Sequence, residues 1–240
     1  MTFGAGQDVA RGFSLQRFFD FLLAGAGLML LSPLLAATAL AVRLSSRGSA
    51  FFAQQRVGLR GRLFQIRKFR TMVDGAPQLG TTVTASGDRR ITPVGRLLRR
   101  AKLDELPQLY NVLRGDMSLV GPRPEVPEIV ANYTAEMRRI FEIRPGITSL
   151  ASLHLRDEEA ILAQTRDPDR FYEEVLVPLK VRIALEHVDR ASFWFDFRVL
   201  LQTVWMLTPL GRIWPVPAHP LVRELKRRLA EGKELLNERS

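Results

Sequence analysis

From residue 21 to residue 42 the chain carries no charged side chain. At about 1.5 Å of helical rise per residue such a run reaches roughly 33 Å, enough to cross the hydrocarbon of a bilayer. Nothing resembling a small-residue cleavage site ends it, and it leads straight into Arg43 and Arg47, so it reads as a retained membrane element. Arg11 and Arg17 flank one end and Arg43, Arg47 and Arg56 the other, which gives little orientation bias. Ser32-Pro33 lies near the middle, where proline removes a backbone hydrogen bond and crowds the preceding turn, so a bend is expected. Two topologies remain open: a bent helix that dips in and returns, or a straight span that tolerates its proline. Asp20 follows Arg17 by three residues and is expected to pair with it, although headgroup solvation would serve as well. Gly25 and Gly27, with no strand before them, read as close-packing positions and not as a nucleotide loop.

The net charge of +10 is concentrated. Residues 43–102 hold 14 Lys plus Arg and only two acids, a balance of +12, while the remainder carries 21 bases and 23 acids. The partner of that stretch should be anionic: a phosphorylated substrate, an acidic headgroup or nucleic acid. The absence of Cys excludes disulfides, thiolate nucleophiles and Cys-ligated zinc. His154, His187 and His219 are too scattered to suggest a Ser-His-Asp or His-rich metal site.

Residues 50–58 and 61–72 read as two short strands around a Gly-marked turn. In the second, Phe64, Ile66, Lys68 and Arg70 share one face, so two cations continue an apolar face, as an edge strand or as a phosphate-binding wall. Residues 74–93, rich in Gly, Thr, Ser and Asp, read as a loop. Leu106, Leu109, Tyr110 and Leu113 then fall at i, i+3, i+4 and i+7, with Pro107 acceptable in a first turn and Gly115 a natural stop. Asp104 is thereby placed at or near a helix N-terminus, where the field should keep it ionised and favour a nearby phosphate. Asp104 and Glu105 are adjacent, about 100° apart on a helix, and so ill placed as a facing acid and base. They suit one nucleophile and one neighbour that orients it or holds a metal ion, against the plainer reading of an N-cap with an exposed glutamate.

Asp104-Glu105-Leu106-Pro107-Gln108-Leu109, the run from Asn111-Val112-Leu113-Arg114-Gly115-Asp116-Met117-Ser118 to Gly121-Pro122-Arg123-Pro124, and Arg144-Pro145-Gly146-Ile147-Thr148 resemble the signatures of the bacterial sugar transferases, the monotopic polyprenyl-phosphate phosphoglycosyl transferases of small single-domain type. Lys68-Phe69-Arg70-Thr71-Met72 and the Ser32-Pro33 break match as well. The resemblance implies transfer of a sugar 1-phosphate from a nucleoside-diphosphate sugar, UDP-sugar by default, to a membrane polyprenyl phosphate, initiating glycoconjugate or exopolysaccharide synthesis. It implies Asp104 as the nucleophile of a covalent phosphosugar intermediate, Glu105 completing the acid pair, Mg²⁺ held there, and a re-entrant membrane helix in the bacterial inner membrane with the catalytic domain on the cytoplasmic face. Independently, a carboxylate attacking a diphosphate needs convergent positive charge. Lys68, Arg70, Arg99, Arg123 and Arg144 are the candidates, Arg123 foremost because prolines stiffen both its neighbours. After Thr148 the chain departs from the commonest family pattern at residues 149–154, which leaves a sugar or base contact there in doubt.

The expected fold is a helix-rich α/β membrane-associated domain: a tail (1–16), a re-entrant helix (17–47), a catalytic domain with a small β-hairpin (48–210) and an amphipathic C-terminal segment (211–240). Residues 193–207, aromatic but interrupted by Asp196 and Arg198, suit a helix in the headgroup layer or a core helix. Expected partners are the nucleotide sugar, the polyprenyl phosphate and membrane lipid, with a homodimer left open. The rival is a noncatalytic membrane-tethered basic protein that binds acidic lipid or nucleic acid. Few aromatics interleave the cations as stacking platforms, so nucleic acid is not an expected partner.

Overall fold

The computed structural model describes residues 15–76 and 83–231. Arg11 and most of the N-terminal tail, part of the 74–93 loop and residues 232–240 lie outside the described residues. The chain is helix-rich with two small two-stranded sheets.

Helices α1 (Leu15–Leu30) and α2 (Ser32–Ser45) meet at Leu31 with a 63° bend. The Ser-Pro pair explains it locally. Pro33 has no N–H to give to the Met29 carbonyl one turn back, and the Ser32 hydroxyl donates to that carbonyl instead, at 2.8 Å. No single described helix is long and apolar enough to cross a membrane; the bent pair together is, by length and composition. Met29 and Leu30 at the elbow are 81% and 80% exposed.

Strands β1 (Phe51–Val57) and β2 (Leu63–Phe69) form an antiparallel hairpin, with Phe52 opposite Lys68. Helix α3 (Pro93–Ala101) is capped by Thr92, whose hydroxyl accepts from the Gly95 N–H, and ends on Lys102 in the left-handed region at φ 57°. That conformation costs a non-glycine residue about 1 kcal/mol, and it turns the chain into a single 3₁₀ turn, Leu103–Glu105. Helix α4 (Gln108–Arg114) follows and stops at Gly115, φ 91°, as its sequence predicts.

Strand β3 (Ser118–Val120) pairs in parallel with β4 (Gly146–Thr148). At the end of this ribbon Gly121 and Gly146 touch backbone to backbone, and a Cβ on Gly146 would lie 2.1 Å from the Gly121 nitrogen. Helix α5 (Pro127–Ala131) lies between these strands in sequence. Beyond β4 come α6 (Leu150–His154), α7 (Glu158–Leu162) and α8 (Pro168–Phe171). Helix α8 passes through a π turn, Tyr172–Leu176, into α9 (Val177–Arg190), which precedes α10 (Phe193–Leu207), α11 (Pro209–Ile213) and α12 (Pro220–Ala230).

The largest apolar cluster gathers Ile140, Leu162, Phe171, Leu176 and Ile183 with Val222 and Leu225, so α12 packs onto the main core. A second joins Ala24 of α1 to Ile66, Leu109, Val112 and Met117, and a third joins Val42 of α2 to Ala50, Phe69 and Leu98. The bent pair is thus built into the domain. Its polar residues reinforce this: the Arg17 guanidinium donates to the carbonyls of Val112 (2.6 Å) and Met117 (3.1 Å), and Asp20 accepts from the Ser118 hydroxyl (2.7 Å) and the Leu119 N–H (3.0 Å). Arg17 and Asp20 do approach each other, at 3.8 Å, but their shorter contacts are to α4 and β3.

Helix α10 has an unusual polarity. Asp196 faces inward, at 2.7 Å from His187 Nε2 and bonded by Gln16, while Trp194, Phe197, Leu201 and Trp205 face outward. The departing segment 149–154 is a packing element: Ser149 caps α6, and Ala151 and Leu153 are buried.

Candidate active site

The 3₁₀ turn between α3 and α4 carries Asp104 and Glu105. Glu105 Oε1 accepts from Lys68 Nζ at 2.9 Å and from Arg123 Nη2 at 2.7 Å. β2 delivers the lysine and the Pro-Arg-Pro loop after β3 delivers the arginine. Burial alone would raise the Glu105 carboxyl, but the charges and hydrogen bonds of Arg123 and Lys68 hold it well below its ordinary value.

Asp104 differs. It is buried, and its Oδ1 is sealed from solvent with no hydrogen-bond partner. Burial, followed by the like charge of Glu105, pushes its carboxyl up, while Lys68, Lys102 and Arg99 act in the opposite sense. The helix field expected at Asp104 is therefore opposed by desolvation. Asp104 sits in a short turn ahead of α4, whose N-cap position is taken by Pro107, so the helix field is outweighed by desolvation. One turn on, Gln108 Nε2 is likewise buried without an acceptor. Under-satisfied buried groups are rare, and each marks a place where structure or function requires it.

The other candidates separate. Arg70 is drawn into structure: its guanidinium binds the Arg47 carbonyl and both the carbonyl (2.8 Å) and hydroxyl (3.0 Å) of Ser46, closing the C-terminal end of α2. Arg99 acts on Asp104 through space, but its hydrogen bonds go to Thr71, Thr84 and Glu159. Arg144 is exposed and donates to the Gly115 carbonyl at 3.2 Å, at the opposite end of α4 from the acid pair. Arg70 and Arg144 thus bind backbone carbonyls, the groups left open where helices end, and neither contacts the acid pair through a hydrogen bond here. Part of the basic stretch is committed inside the fold, since Arg56, Lys68, Arg70, Arg90 and Arg99 serve internal acceptors.

Sequence reasoning missed a second charge cluster behind Arg123. Glu125 is buried and accepts from Tyr172 Oη at 2.7 Å, with Arg56 at 3.4 Å and Lys180 at 3.5 Å. The available signal was Lys180 itself, which lies on the buried stripe of Val177, Val181 and Ala184.

The sequence that builds this arrangement is similar to known proteins over most of its length. A family model described as bacterial sugar transferase matches residues 11–209. The chain belongs to that family. A UDP-glucose:undecaprenyl-phosphate glucose-1-phosphate transferase of Caulobacter vibrioides is 40% identical over 194 residues, covering 79% of this chain and 68% of that protein. A UDP-N-acetylgalactosamine-undecaprenyl-phosphate N-acetylgalactosaminephosphotransferase of Aeromonas hydrophila is 36% identical over 207 residues, 82% of this chain and 44% of its own. A UDP-glucose:undecaprenyl-phosphate glucose-1-phosphate transferase of Escherichia coli is 36% identical, over 80% of this chain and 39% of its own. The chain thus spans less than half the length of the last two.

Metal ligation can be judged from the donors. No group of three or more His, Asp and Glu that could hold an ion occurs among the described residues. The Asp104 and Glu105 carboxylates are hard oxygen donors, the ligand type that Mg²⁺ takes.

Proposed function

We propose that the chain transfers a sugar 1-phosphate from a UDP-sugar to a polyprenyl phosphate. The carrying observation is one buried, under-bonded carboxylate, Asp104, beside a second whose charge is already neutralised by Lys68 and Arg123. Asp104 attacks the phosphorus that bears the sugar, and the bond from that phosphorus to the bridging oxygen breaks as uridine monophosphate leaves. A polyprenyl-phosphate oxygen then attacks the same phosphorus, releasing Asp104 and forming the polyprenyl-diphosphate sugar. Glu105 keeps Lys68 and Arg123 converged where negative charge accumulates on the nonbridging oxygens. Arg123, with its side chain about one-third exposed at 32%, is the guanidinium best placed to meet a diphosphate. Asp104 and Glu105 would hold Mg²⁺, which when bound offsets diphosphate charge.

Exposed apolar side chains support a membrane placement in keeping with this reading. The bent pair exposes apolar side chains around its elbow and returns its basic end at Arg43 and Arg47, which suits a re-entrant element with the domain on the cytoplasmic face of the bacterial inner membrane. The outward aromatics of α10, with Trp214 beyond it, suit the headgroup layer. Homologue names favour glucose or N-acetylgalactosamine as the sugar.

The test is to mix UDP-sugar with the detergent-solubilised chain, quench during turnover and map the adduct by mass spectrometry. A phosphosugar on Asp104, lost in Asp104→Asn together with monophosphate release, is the expected result. Product accumulating with no adduct, or release at the wild-type rate in Asp104→Asn, overturns the nucleophile.

A further inference from the structure

Arg123 stands between two carboxylates. Glu105 takes its hydrogen bond, and Glu125 lies two residues further along the same loop. The loop backbone is fixed on both sides: the Gly146 N–H donates to the Pro122 carbonyl, Arg56 to the Pro124 carbonyl and the Val57 N–H to the Glu125 carbonyl, each at 3.0 Å. The Glu125 side chain is gripped separately. Besides Arg56, it faces Tyr172 Oη and Lys180 Nζ, which lie 2.9 Å apart, and Lys180 also reaches Glu158 at 3.2 Å. Tyr172 opens the π turn that joins α8 to α9, the kind of local helix defect that recurs at functional positions.

A buried carboxylate beside an arginine is an attractor for it unless its own charge is met elsewhere. Opposing Lys180 and Tyr172 to Glu125 leaves the Arg123 fork free to serve Glu105 and the incoming diphosphate. We propose that Lys180, with Tyr172, is a positioning residue of the reaction: by occupying Glu125 it holds Arg123 on the catalytic side of its loop. The inference rests on the transferase reading above and adds residues 57 and 49 positions downstream of Arg123. Neither touches the acid pair in the structure; both act through Glu125.

The experiment measures single-turnover adduct formation on Asp104 and its dependence on donor concentration, with UDP-glucose and UDP-N-acetylgalactosamine as probes. Lys180→Met should slow the adduct step about 10- to 100-fold, with the half-saturating donor concentration changed less than about threefold. Adding Glu125→Gln to Lys180→Met removes the stranded anion and should restore at least about tenfold of the loss, a rescue that a purely packing role for the lysine does not produce. Lys180→Met at the wild-type rate, or a double variant as slow as the single, overturns the proposal. Should Lys180→Met fail to fold, Tyr172→Phe removes one hydroxyl and should slow the step about 3- to 10-fold; the wild-type rate there also overturns it. Absence of any Asp104 adduct in the wild-type chain defeats the transferase mechanism instead, so the two failures are distinct.

Discussion

The two acid clusters on either side of Arg123 are finished in opposite ways. Around Glu125, burial is answered by Tyr172, Lys180 and Arg56, and the carboxyl is held below its ordinary value by Lys180 and Arg56 despite desolvation. Around Asp104, burial is left unanswered: Oδ1 has no partner and the carboxyl is pushed up. Both sites hold buried acids, so burial alone distinguishes nothing. The closed network stabilises geometry, whereas the open one stores unfavourable free energy that a substrate or cation can release.

The sharpest test of this contrast is stability. Glu125→Ala should cost about 3–5 kcal/mol, because it removes the buried carboxylate that Arg56, Lys180 and the Tyr172 hydroxyl share, read as a lowered denaturation midpoint. Asp104→Asn should leave that midpoint unchanged or raised at neutral pH, since the raised pKa means that the ionised form is the disfavoured one in the fold. A similar loss in both variants would erase the distinction.

Next in size, Arg123→Ala should lower kcat/KM for monophosphate release by about 10²- to 10³-fold. A normal kcat/KM would place the phosphate contact elsewhere.

The smallest effect lies in pH. Asp104 must be ionised to attack, so the acidic limb of kcat/KM should fall above the ordinary aspartate range. Lys68→Met, which removes a charge that favours the anion, should move that limb to higher pH. Glu105→Gln, which removes a like charge, should move it lower even as the rate falls. Limbs that shift in the reverse directions would show that another group titrates.

What could be read in the sequence was what is local. The hairpin, the Ser-Pro break and the α4 stop at Gly115 each depend on a few neighbouring residues, and the structure shows them where the pattern indicated. Cation roles were less legible, because an arginine continuing an apolar face serves a phosphate or a helix-end carbonyl equally well; Arg70 reaches the carbonyls that end α2. The Glu125–Lys180 cluster depends on a contact between residues 55 apart, which no local pattern encodes, and only the lone lysine on a buried stripe hinted at it. The sign of the Asp104 shift was hidden for the same reason, since desolvation comes from chain remote in sequence.

Arg17 and Asp20 fasten α1 to the far end of α4 and to β3, so the bent pair cannot be treated as a detachable tether. Inserting one residue between them would swing one grip about 100° away from its acceptor and loosen α4 at the end opposite the acid pair. Cutting away the first helix would therefore remove a wall that supports α4 and β3 and, through α4, the mounting of the acid pair.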